Sequence, residues 1–168
     1  MMDAHPRVAA YGPRGMGKTA FMAWLALHFA LVWDGEDWKF PITASVWRQL
    51  TRFAFPEIHK WARRIVWPKV GRGSFRVGAE LMGLGLRLRT GEVFAVASND
   101  PQTMEGAHAQ ALGFGFDEAK IIPAATFDSM EGAFTIGRDA LAVKVVAVST
   151  PGEEEGRFYD ICSRKKGY

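Results

Sequence analysis

The sequence predicts an α/β layer fold, with a mostly parallel central sheet flanked by helices. Short apolar runs of strand length alternate with longer helical runs, and a glycine-rich turn lies directly between the first strand and the first helix. The 168 residues, 48% of them hydrophobic, supply a sizeable core, and neither an internal repeat nor a Ser/Gly-rich linker divides them. One domain spanning 1–168 is expected.

The elements follow in order. Arg7-Val8-Ala9-Ala10-Tyr11 reads as a buried strand. From Lys18 to Trp33 the pattern is helical and apolar almost all round, the mark of a helix covered on most sides, and Asp34-Gly35-Glu36-Asp37 stops it. Trp38 to Ala44 is a second strand, and Pro41 argues against a central, fully laddered position for it. Ser45 offers an N-cap for two helical pieces reaching about Ile65, with Pro56 in the first turn of the second.

Glycines and Pro68 make 67–85 hard to read. A hairpin then fits Leu84 to Arg89 with Val93 to Ser98, turning at Thr90-Gly91, its second strand joining the main sheet. Gln110 to Phe116 is a short apolar run closed by Asp117-Glu118. A short helix containing Asp128 to Gly132 begins after Pro123, and the valine-rich Leu141 to Val148 is the clearest strand. Glu153 to Tyr168 is mostly polar.

The net charge of +3 hides a division. Residues 1–90 hold 14 basic and 6 acidic side chains (+8), and residues 91–168 hold 7 and 12 (−5). Only the first half suits a polyanion. The single cysteine, Cys162, excludes an internal disulfide, so a reducing cytoplasm is expected. No apolar run approaches a membrane span, and no membrane partner is expected.

Gly12-Pro13-Arg14-Gly15-Met16-Gly17-Lys18-Thr19 matches G-x-x-x-x-G-K-[ST] in full, with a strand before it and a helix after it. The glycines let successive N–H groups point into one concavity, and the helix adds its unpaired N–H groups and positive dipole end. Lys18 then suits the β- and γ-phosphates of a nucleotide, and the Thr19 hydroxyl suits Mg²⁺. Arg14 either meets the γ-phosphate or a neighbouring subunit's nucleotide, or is a solvated loop residue.

A nucleoside triphosphatase also needs a carboxylate near the metal and a group to orient water. At the end of a strand, Asp117 suits the first role and Glu118 the second, with Glu80, Glu92 and Asp100 as competitors. Gly113 and Gly115 weaken the strand that delivers them. Ser149 and Thr150 reach the same sheet edge if their strand is parallel, either to sense the γ-phosphate or merely to cap the strand before Pro151. Asn99 reads as an Asx-turn residue before Pro101 or as a group near the nucleotide.

Arg48, Arg52, Lys60, Arg63, Arg64, Lys69, Arg72 and Arg76, interleaved with Trp47, Trp61 and Trp67, read equally as a phosphate-backbone surface or as helices anchored by tryptophan. The four histidines and Cys162 show no metal-ligand spacing. A small-molecule or nucleotide kinase is the alternative enzyme, with Arg87 and Arg89 as its lid. A non-catalytic remnant that only binds nucleotide or DNA is the third reading.

Five segments in order resemble the ATPase domain of the phage large terminase, a P-loop NTPase that drives viral DNA packaging. They are the phosphate loop, Ile42 to Leu50, Ala97 to His108, Phe116 to Lys120, and Val148 to Tyr159. The resemblance implies ATP and Mg²⁺ as cofactors. It gives Lys18 and Thr19 as phosphate and metal residues, Asp117 as the metal-site aspartate, Glu118 as the catalytic glutamate, and Ser149 and Thr150 as the motif coupling hydrolysis to DNA movement. Arg14 falls where the family often has a phosphate-loop arginine. The implied partners are double-stranded DNA, a portal and procapsid, a small terminase subunit and a homo-oligomeric ring, in the cytoplasm of a host bacterium. Only 11 residues precede Gly12, and no nuclease domain follows Tyr168, so the resemblance implies a domain truncated at both ends.

Overall fold

The computed structural model describes residues 7–98, 108–135 and 141–163. Seven strands form one sheet: β1 (Arg7–Tyr11), β2 (Trp38–Ala44), β3 (Leu81–Met82), β4 (Gly85–Arg87), β5 (Gly91–Ala97), β6 (Ala111–Asp117) and β7 (Ala142–Ser149). Their spatial order is β1-β7-β6-β2-β5-β4-β3. The first five of that order are mutually parallel, and β4 and β3 add an antiparallel edge. The expected hairpin is β4 with β5, and β5 joins the main sheet as read from the sequence, where its neighbour is β2.

Helices α1 (Lys18–Trp33), α2 (Trp47–Gln49), α3 (Phe55–Ala62), α4 (Trp67–Val70), α5 (Ala124–Thr135) and α6 (Arg157–Cys162) surround the sheet, with a π-helical turn at Leu50–Ala54 and a 3₁₀ turn at Ala119–Ile121. The alternation of β7 separates two cores. Val146 and Val148 pack with α1 and α3 residues such as Met22, Phe29 and Ile58, whereas Val145 and Ala147 pack with Phe127 and Met130 of α5 and Phe158 of α6.

Three expectations need correction. β1 is not buried: it has a strand neighbour on one side only, so Tyr11 is 62% exposed. β2 is central despite Pro41, paired with β5 along its whole length and with β6 at both ends. The β2–β6 ladder skips Phe40 and Pro41, so the missing N–H of proline interrupts pairing only there. Ser45 does not cap a helix. Val46 precedes α2 without a side-chain cap bond, and the Ser45 hydroxyl donates instead to Gln49 Oε1 at 3.0 Å.

The glycines of β6 explain why that strand is buried along its whole length. Leu112, Phe114 and Phe116 fill the α5 side, while a Cβ at Gly113 would run into the Phe40 ring and one at Gly115 would lie 3.0 Å from Met22 Sδ. The two residues that weaken the strand's propensity are therefore the ones that let α1 and Phe40 settle on the sheet. Within the mostly polar run after Glu153, α6 forms, anchored by buried Phe158.

Candidate functional site

The parallel register brings the carboxyl ends of β1, β7 and β6 to one edge, where open α/β sheets collect ligands. The phosphate loop leaves β1 there. Gly12 N–H donates to the Ser149 carbonyl at 3.1 Å, which fixes the loop's first residue to the end of β7. Gly15 and Gly17 have φ of 84° and 81°, conformations that a side chain would strain, and a Cβ on either would meet nothing within 4 Å. Gly17 is the N-cap of α1 and no side chain caps the helix, so its first N–H groups face an open concavity. Lys18 Nζ donates to the carbonyls of Gly12 and Pro13, both at 2.9 Å, which holds the amine across that concavity.

Asp117 ends β6 and meets the loop from the other side. The Thr19 hydroxyl donates to Asp117 Oδ2 at 3.4 Å, joining residues 98 apart in sequence. Burial, and then the neighbouring Glu118 carboxylate, push the Asp117 carboxyl up to about 6, although the Glu118 N–H, the Thr19 hydroxyl and Lys18 oppose them. A hard divalent cation suits such a carboxylate–hydroxyl pair. Among the described residues no three His, Cys, Asp or Glu side chains form a metal cage, and Mg²⁺ bound with phosphate needs only one or two protein oxygens.

Glu118 follows in the left-handed region, φ 51°, and among the described residues it is the one non-glycine residue with a positive φ. Its Oε2 accepts hydrogen bonds from the hydroxyls of Ser149 and Thr150, each at 3.4 Å. The structure therefore brings together Lys18, Thr19, Asp117, Glu118, Ser149 and Thr150. Arg14 lines a cleft with Lys18, Thr19, Asp117 and Glu118, beside the exposed Pro13 and Met16.

This cleft, about 770 Å³, has a further wall that sequence reasoning missed: Gln49, Arg52, Phe53, Pro56, Glu57 and Lys60. Their spacing of three and four residues is the one available signal, a single stripe along a helix. The π-helical turn carries the stripe from α2 into α3, while Leu50, Ala54, Phe55 and Ile58 face the core. Arg52 and Lys60 thus belong to the cleft. Lys60 pairs with Glu57 at 2.8 Å.

Two of the competing acids, Glu80 and Glu92, lie elsewhere. Glu92 pairs with Arg87 at 2.9 Å at the start of β5, the amino edge of the sheet, which also removes Arg87 as a lid over the phosphate loop. Arg89 borders the same edge, beside Asp37 and Gly91. Glu80 accepts from the Arg76 N–H and pairs with Arg72, and that backbone bond is the chief reason its carboxyl is held below the usual range. Asn99 and Asp100 lie outside the described residues, as does most of the segment from Ala97 to His108.

The basic surface divides as well. Arg72 bridges Asp34 and Glu80 and lies over the Phe75 ring, and Arg76 pairs with Glu80, so both tie the 71–80 loop together. Trp61 and Trp67 pack edge-on against Trp24 and Phe75. Arg48, Arg63, Arg64 and Lys69 remain exposed. Among the described residues no helix is long and apolar enough to cross a membrane.

Fold and site together define an α/β chain with a mostly parallel sheet and a glycine-rich strand-to-helix turn facing paired acids at the carboxyl edge. No protein-family model and no curated protein matches the chain. Solved structures do. The large terminase of a thermophilic bacteriophage superposes with a TM-score of 0.64 at 15% identity, covering 89% of this chain and 35% of that one. The large terminase ATPase domain of Thermus phage P74-26 gives 0.62 at 20% identity, covering 92% of this chain and 62% of that one. An arginine-to-alanine variant of that domain gives 0.56 at 17% identity, with the same coverage of both chains. The chain therefore has an α/β fold related to that of terminase ATPase domains, and it spans 35% of the first of these proteins.

Proposed function

We propose that this chain is the Mg²⁺-dependent ATP-hydrolysing domain of a DNA-packaging motor of the large-terminase type. The observation that carries the reading is the meeting, in one cleft, of Lys18 and Thr19 with Asp117 and Glu118 across 98 residues of sequence. The likeness of fold to the two phage terminases supports it.

In this reading the turn of Gly12, Pro13, Arg14, Gly15, Met16 and Gly17 wraps the phosphates, with the main-chain N–H groups of Arg14 to Gly17 as donors, and Lys18 exchanges its two carbonyl partners for the β- and γ-phosphate oxygens. Thr19 and Asp117 hold Mg²⁺, which supplies charge to the phosphate oxygens when bound. Glu118 orients and deprotonates the attacking water. Ser149 and Thr150, bonded to Glu118, sense whether that carboxylate has moved. Arg14 adds positive charge at the γ-phosphate, in its own or a neighbouring subunit.

The hydrolase is proposed to act on double-stranded DNA through the exposed Arg48, Arg63, Arg64 and Lys69, as part of a ring on a portal and procapsid with a small terminase subunit, in the host cytoplasm. The test is Mg²⁺-dependent ATP turnover with and without double-stranded DNA. DNA-stimulated turnover is expected. Turnover that requires a phosphate acceptor would make the chain a kinase, and nucleotide binding without turnover a non-catalytic remnant.

A further inference from the structure

Lys120 has no part in the reading above, yet its side chain, like that of Glu118, joins the acidic turn to the end of β7. Its main-chain N–H donates to Ser149 Oγ at 3.3 Å, and its Nζ donates to Thr150 Oγ1 at 2.9 Å and to the Pro151 carbonyl at 3.0 Å. Its stem lies flat on Gly152, where a Cβ would stand 2.8 Å from Lys120 Cδ, so a glycine is needed for the approach.

The chemistry of these bonds has a direction. An ammonium and an amide N–H only donate, so each hydroxyl must spend a lone pair on Lys120. The one proton of each hydroxyl is then left for its other neighbour, and for both hydroxyls that neighbour is Glu118 Oε2, at 3.4 Å. The carboxylate can only accept, so Thr150 can still donate to it without Lys120 Nζ, but nothing then holds the hydroxyl oxygen in place or keeps its proton from rotating away to another acceptor.

Resting on the hydrolase reading, we infer that Lys120 is a positioning residue: by occupying the acceptor side of Thr150 and clamping the 150–152 loop, it turns that hydroxyl toward Glu118 and sets the carboxylate's place in the cleft. Lys120 and Thr150 line a separate cavity of about 420 Å³ with Tyr11, Phe158 and Tyr159, whereas Glu118 lines the phosphate cleft. Lys120 thus acts from outside the cleft that receives nucleotide. It is not a catalytic residue, since it reaches Glu118 only through the hydroxyls.

The test uses the full chain with Lys120→Met, Lys120→Arg, Thr150→Val and the Lys120→Met/Thr150→Val pair. Hydrogen exchange without nucleotide reads the clamp directly: Lys120→Met is expected to speed exchange across residues 150–156 at unchanged Tm, with Lys120→Arg restoring protection. For Mg-ATP, Lys120→Met is expected to keep affinity within ~3-fold while lowering turnover ~10-fold, Lys120→Arg to recover most of it, and the double variant to lose no more than the worse single one. Unchanged exchange overturns the inference, as do additive losses, which would make Lys120 merely structural. A wild-type chain that binds no Mg-ATP refutes the hydrolase reading and this inference with it, whereas failure of the Lys120 and Thr150 variants to couple in an active wild type refutes this inference alone.

Discussion

Asp117→Asn should stabilise the nucleotide-free chain while abolishing its proposed function. The carboxylate is 5% exposed and stands beside Glu118, and its pKa rises from 3.8 to about 6 on folding. The folded chain therefore binds that proton more tightly than the unfolded one. The group costs nothing while both states are protonated, below about 3.8, and destabilises progressively as pH rises through about 6. At about 1.4 kcal/mol per pKa unit, the ceiling is about 3 kcal/mol at pH 8. An asparagine can still accept from the Glu118 N–H with its Oδ1, and its Nδ2 can donate to the Thr19 hydroxyl oxygen where the carboxylate accepted from it, so the charge is removed while both contacts are kept. Thermal unfolding in EDTA should show the variant more stable at pH 8 by ~1–3 kcal/mol, or roughly 3–9 °C in Tm for a chain of this size, with the gap closing near pH 4. Equal gaps at pH 4 and pH 8, or a variant less stable at pH 8, would refute the reasoning. Mg-dependent nucleotide binding should weaken in the same variant.

Lys18→Ala leaves the glycine loop intact and removes the amine held over it, so calorimetry should find Mg-ATP binding at least ~10-fold weaker, about 1.4 kcal/mol, with Tm little changed. Gly113→Ala drives a methyl into the Phe40 ring beneath α1 and should cost ~1–3 kcal/mol in urea unfolding, and a neutral result would mean that β6 shifts freely. Replacing Arg63 and Arg64 with glutamine should flatten the slope of log DNA affinity against log salt by up to about two phosphate contacts. Arg72→Gln should instead lower Tm, because that side chain bridges Asp34 and Glu80.

What is legible in the sequence is whatever is written contiguously. The phosphate loop packs its glycines, lysine and threonine into one unbroken run, and Asp117-Glu118 closes an apolar run, so both can be placed before any coordinates. Features that depend on a partner distant in sequence cannot. Pro41 marks an edge strand by its own chemistry, but the skipped ladder opposite Gly113 and Phe114 makes it tolerable at the centre. The stripe from Gln49 to Lys60 reads from sequence only as part of a basic surface, because its aim depends on the π-helical turn. Helix α6 is hidden by a polar context in which buried Phe158 is the main anchor. Lys120 is visible only as the end of a motif, since its partner Thr150 is 30 residues away.

The central claim is that Glu118 activates water in a cleft where other residues hold the nucleotide, and Glu118→Gln tests it most directly. The amide keeps the size of the side chain and can still accept from Ser149 and Thr150, but it lacks the charge and basicity that the attacking water requires. Measured in the intact protein, Mg-ATP affinity should stay within ~3-fold of wild type while turnover falls at least ~100-fold, about 2.7 kcal/mol of transition-state stabilisation. Turnover within ~5-fold of wild type would contradict the assignment and the hydrolytic mechanism built on it.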